Sequence, residues 1–239
     1  METPLEVTVL APVLVAGYAL ARSRSPGSSW RVLAFTAGVA LIVAAFATRL
    51  QPLALHTFLW AHLLQNVVLA EWAPALLVLA VPPALARRVH VPPLPALAAW
   101  LATYFAWHLP WAYELALHHP HTVLHLEHLT YLLTGCLVWW PVIHGSMPAG
   151  AKAAYLFAAF VLASPLGLLL ALLPRAVYST YRDASPTWGL SAETDQQIAG
   201  VTMAGEQAVL FFTAFVVYFL RFLSEEQRAG VLDELRFVK

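Results

Sequence analysis

Charge is what this chain lacks most. Only 11% of its 239 residues are Asp, Glu, Lys or Arg, while 60% are apolar and the mean hydropathy is +0.69. Ordinary soluble domains carry roughly a quarter charged residues, so a soluble core of this size would have almost no charged cover. A membrane protein with several spans needs none. The net charge is zero, which removes any electrostatic case for nucleic acid. A single cysteine, Cys136, excludes an internal disulfide framework. CxxC pairs, a Gly-rich phosphate loop and a Gly-x-Ser-x-Gly elbow are all missing, and no nucleophile–base pair is visible. The chain is read as a non-enzyme.

What is there in quantity is apolar runs. A helix needs about 20 apolar residues to cross the hydrocarbon, and seven runs approach that length: 5–21, 31–48, 56–81, 95–108, 121–143, 153–173 and 198–222. The first and fourth are short. Pro74 predicts a kink in the third. Because the runs are continuous rather than alternating, a closed barrel is excluded. The fold class is an all-α integral membrane protein, a seven-helix bundle over residues 1–223 with a short tail over 224–239. In that tail Val231, Leu232, Leu235 and Val238 allow an interfacial helix. The acidic N-terminus and the arginines after the first run (Arg22, Arg24) argue for a retained span, since a cleaved leader carries its positive charge ahead of the run. Ten of the thirteen Lys and Arg residues fall in loops on one side, against Arg49, Arg175 and Arg182 on the other. The positive-inside rule then puts the N-terminus outside and the C-terminus in the cytoplasm.

The chain is rich in histidine, and six of its ten lie between His108 and His128. With this topology His56, His62, His108, His118, His119, His121, His125 and His128 all fall in or near the outer leaflet, together with Asp195. His121, His125 and His128 follow an i, i+4, i+7 spacing, which places them within about 60° of arc on a helix. His62 and Asn66 are one turn apart on the third span, His108 ends the fourth, and Met203 lies two turns inside Asp195 on the seventh. A lone histidine at such a depth is more often bonded to loop carbonyls and water than to a metal. Four spans offering polar groups at one depth is different, because polar groups are costly in a bilayer and usually functional. Histidine with thioether suits copper, while histidine with carboxylate also admits zinc or iron. Glu71 lies on the opposite face of the third span from His62, and Glu206 on the seventh is its candidate neighbour. Trp139-Trp140-Pro141 reads as an aromatic belt and a helix end.

Several of these stretches occur together in one known family. Trp107-His108-Leu109-Pro110-Trp111-Ala112-Tyr113, His125-Leu126-Glu127-His128, Trp139-Trp140-Pro141 and Asp195-Gln196-Gln197 with Met203 resemble the CtaG family, membrane proteins that assemble haem–copper cytochrome c oxidases. The resemblance covers about residues 50 to 222. It implies a multi-pass assembly factor of the bacterial cytoplasmic membrane, handling copper at the outer side for oxidase subunits, in exchange with soluble copper chaperones. It carries metal roles onto His62, His108, His125, His128, Asp195 and Met203. This chain departs from the pattern at Asn66, where a second histidine is expected, at Leu63, where a methionine is, and at Ala199 and Ala204. Either His56 or His121 completes a reorganised copper site, or metal binding is weakened and a chaperone role remains. Two further readings compete: a bis-histidine haem carrier, and a metal-free docking module for the oxidase.

Overall fold

The computed structural model describes residues 4–25, 28–184 and 188–237, with the side chains of 230–237 left out of the description. Every regular element among the described residues is helical. The long helices are α1 (Glu6–Arg24), α2 (Ser29–Phe46), α3 (Leu59–Ala80), α4 (Pro93–Trp107), α6 (Val123–Ile143), α7 (Ala149–Leu172) and α8, which opens as Ala192–Gln207 and continues to Phe237. The shorter α5 (Pro110–His118) links α4 to α6. Among the described residues five helices are long and apolar enough to cross a membrane: α1, α2, α3, α7 and α8. At 15 residues α4 is too short by that measure, and α6, at 21 residues, carries His125, Glu127 and His128 in its first two turns.

Several expected boundaries move, each for a local reason. Residue 56 does not begin the third long helix. His56 ends a separate short helix, Leu50–His56, and Phe58 is extended, so α3 restarts at Leu59. The new N-terminus has no cap of its own. Asp195 supplies one from α8, its carboxylate accepting from the amides of Leu59 at 2.6 Å and Trp60 at 3.2 Å. The fifth long helix starts at Val123 rather than 121, so His121 lies in the turn after Pro120 and not on the helical face shared by His125 and His128. The last begins at Ala192, where the Ser191 hydroxyl accepts from the Thr194 amide. The apolar tail face of Val231, Leu232, Leu235 and Val238 lies outside the described side chains.

Pro74 sits two residues past a π turn at Val68–Trp72. A proline cannot donate to the carbonyl four residues back, here that of Ala70. The Trp100 indole takes that carbonyl at 3.2 Å, and the Trp139 indole takes the neighbouring Glu71 carbonyl at 3.0 Å. Trp139 is 4% exposed, so it is a buried donor rather than part of an aromatic belt. Close helix approach needs small residues at two crossings. A Cβ on Gly135 of α6 would collide with the Ala70 carbonyl and lie 2.6 Å from the Pro74 ring, and one on Gly200 of α8 would collide with the backbone of α7 at Ala171.

The helices alternate in direction. α1, α3, α6 and α8 begin at the same end of the bundle, where α2, α4 and α7 finish: Phe46 of α2 packs edge-on against His128, and the Leu170 carbonyl of α7 accepts from Gln196. α1 is peripheral and mostly unburied, whereas α3 is mostly buried.

Candidate metal centre

The polar groups collect at that one end. His125 and His128 are three residues apart on α6, hence neighbours on one helical face, and the face meets the first turn of α1. There Glu6 Oε1 accepts from His125 Nδ1 and from His128 Nδ1, both at 2.7 Å. Glu6 is 3% exposed and His128 2%, while His125 is half-buried. One ligand atom from each residue lies within 4.8 Å of the other two. Two imidazoles and a carboxylate at this separation form a donor set that copper or zinc accepts. Glu6 Oε2 is buried without a partner, so the carboxylate has an oxygen to spare.

Inward of Glu6 lies a second layer. His62 Nδ1 faces the Tyr181 hydroxyl at 3.1 Å; that hydroxyl donates to the Ala54 carbonyl, so it must receive the His62 proton. His108 Nδ1 donates to the Tyr104 carbonyl at 2.7 Å, and His128 Nδ1 donates to Glu6. In all three rings the bonded Nδ1 carries the proton and leaves Nε2 with its lone pair. All three Nε2 atoms are buried and unpartnered. Histidines that ligate a metal almost always donate their other nitrogen to a carboxylate, carbonyl or similar acceptor, and these three have that arrangement. The His62 and His128 ring centroids are 6.3 Å apart. Glu127, fully buried, lies 3.7 Å from His62 Nε2 and accepts from Asn66 Nδ2 at 2.9 Å.

The residues read from the sequence therefore separate. His62, His108, His125 and His128 share one polar region, with Asn66 inside it. Met203 is buried and lines a narrow void with Leu63, Asn66, Tyr104, His108 and Tyr131. Asp195 spends its carboxylate on the α3 amides. His56 and His121 are exposed and lie on the short helix and turn ahead of α3 and α6. Sequence reading missed Glu6 and Glu127. Both had a signal: each is a carboxylate inside an apolar run, where an ionisable group is functional by default.

Glu114 of α5 holds the outer rim. Its carboxylate takes the Thr180 hydroxyl at 2.6 Å and the Thr180 amide at 3.1 Å. Partial burial raises the carboxyl, but the bonds from Thr180 and Ser179 outweigh it and hold Glu114 below the usual carboxylate range.

The family model described as cytochrome c oxidase caa3 assembly factor matches residues 13–225. No curated protein and no solved structure matches the chain.

Proposed function

The chain belongs to the cytochrome c oxidase caa3 assembly-factor family, and from that premise we propose that it carries copper for a haem–copper oxidase in the bacterial cytoplasmic membrane. On this reading all seven long helices span the bilayer, with the N-terminus and the histidine end outside. The alternating helix directions and the Lys and Arg asymmetry support it. Glu6, His125 and His128 hold the ion once it displaces the protons that the two Nδ1 atoms donate to Glu6, and the bare Nε2 atoms of His62 and His108 offer onward ligands. The role is non-catalytic: the ion is cargo, passed to an oxidase subunit and received from a soluble chaperone.

The observation that carries the proposal is Glu6 Oε1 placed 2.7 Å from two histidine nitrogens in a buried setting. A carboxylate and two imidazoles also admit zinc, so the metal must be identified directly. The void beside His108 is too narrow to hold a water molecule, which favours a bare ion over a haem. The test is metal content and the visible spectrum of the detergent-purified protein, with His125→Ala and His128→Ala alongside. The expected result is about one copper per chain, lost in both variants, with no Soret band. Retention of full copper in both variants would overturn the assignment. Absence of metal from a protein that still co-purifies with oxidase subunits would replace it with a docking role.

A further inference from the structure

Halfway along α3 and about a third of the way along α8, away from the histidines, two carboxyl side chains meet. Glu71 is completely buried. Glu206 is half-buried as a residue, yet its Oε1 has no exposed surface. The pairing anticipated from the sequence is present: Glu206 accepts from the indole of Trp72, next in the chain to Glu71, and Glu71 accepts from Gln207, next to Glu206, so the two carboxyl groups meet.

The outer oxygens have their own donors. Glu71 Oε1 accepts from Gln207 Nε2 at 3.0 Å, and Glu206 Oε2 accepts from the Trp72 indole at 2.7 Å. Gln207 Nε2 also reaches the Tyr104 hydroxyl at 2.8 Å. That leaves Glu71 Oε2 and Glu206 Oε1, the two oxygens with no donor from the protein. Two carboxylate oxygens cannot bond each other without a hydrogen between them, and like charges at that distance cannot both ionise. No Lys, Arg or His from any helix packed against the pair neutralises it among the described residues. The titratable groups that face it are Tyr104 from α4 and Tyr131 from α6.

We propose that Glu71 and Glu206 form a carboxyl dyad that binds one proton at mid-depth in the bundle, between Glu71 Oε2 and Glu206 Oε1. The proton closes α3 onto α8. The closure falls within the π turn of α3 at Val68–Trp72 and just ahead of a π turn in α8 at Ala208–Phe212. Losing the proton leaves two facing carboxylates whose repulsion separates the helices there. Such a dyad is a proton-operated contact between the two halves of the chain, independent of any metal.

The test is infrared spectroscopy of the full-length protein in lipid nanodiscs. Near neutral pH a protonated-carboxyl C=O band is expected, shifted in D2O and lost as pH is raised. Glu71→Gln supplies an amide N–H to Glu206 Oε1 in place of the proton, so the band should disappear while helix content and metal content stay unchanged. Glu206→Gln should act in the same way. If either Gln variant fails to fold, Glu71→Asp keeps an acid one methylene shorter and should shift the band. A wild-type spectrum without the band, or a band unmoved by these substitutions, overturns the proposal.

Discussion

Replacing Glu6 by Gln is the sharpest perturbation of the proposed metal centre. The amide keeps the shape and one oxygen but removes the charge that faces His125 and His128. Two unit charges about 4 Å apart attract by roughly 4 kcal/mol at an effective dielectric near 20. At about 1.4 kcal/mol per factor of ten, Glu6→Gln should weaken binding of a copper(I) ion about a thousandfold. If Glu6 instead only orients His128 for a metal on the inner Nε2 atoms, the loss should be the 10- to 100-fold typical of outer-shell partners. Competition against a chelator of known affinity, in detergent at fixed pH, separates these outcomes. Glu114→Gln, outside the cluster, serves as the control. A Glu6→Gln affinity within about threefold of wild type would refute the placement of the ion beside Glu6. Since the ion must displace the protons on the two imidazole nitrogens, wild-type affinity should also weaken as pH is lowered.

Asp195→Ala should lower stability by roughly 1–2 kcal/mol through loss of the α3 cap, with copper stoichiometry unchanged; loss of the metal would make Asp195 a ligand. Gly135→Ala should cost about 1–3 kcal/mol, as overpacking does, because its methyl meets the Ala70 carbonyl and Pro74; an unchanged melting temperature would show that α3 and α6 can separate at no cost. Glu114 is depressed in the folded chain, so it binds fewer protons there than when unfolded, and its contribution exists above the ordinary carboxylate pKa. That contribution should vanish as pH falls through the folded value. Stability curves of wild type and Glu114→Gln should therefore converge in acid, and a gap that widens in acid would contradict the Thr180 contact.

Much of the fold is legible because a bilayer writes its demands in composition. Long apolar runs with charged loops between them mark helices α1, α2, α3, α7 and α8. Histidines at both ends of the linker between α4 and α6 mark the polar end. What composition cannot show is which side chain caps which helix. Asp195 reads as a metal ligand because it is acidic and sits at the right depth. Its use as a cap for α3 depends on the extended conformation of Phe58, more than a hundred residues away in the chain. Glu6 is hidden for a related reason. It lies in an N-terminal stretch whose acidity reads as a topology signal, and only the docking of α1 on α2 and α6 turns it into a partner for His125 and His128.

Three π turns accompany the buried polar groups of the long helices. They fall at Glu6–Leu10, Val68–Trp72 and Ala208–Phe212. Each carries or directly follows a buried polar side chain: Glu6, then Glu71, then Gln207 behind Glu206. A π turn inserts a residue into the helical register and releases a backbone carbonyl, so the 100° per residue count fails beyond it. In a bilayer the released carbonyl needs a donor from the protein. In α3 the indoles of Trp100 and Trp139 supply two. The tryptophans and the π turn are thus parts of one arrangement. Glu71 leaves the turn toward α8 while His62 stays with the histidine cluster, and the indoles satisfy the carbonyls freed between them. By this reasoning α3 is distorted where it delivers Glu71, whereas α6 brings Glu127 and His128 inward from a regular helix.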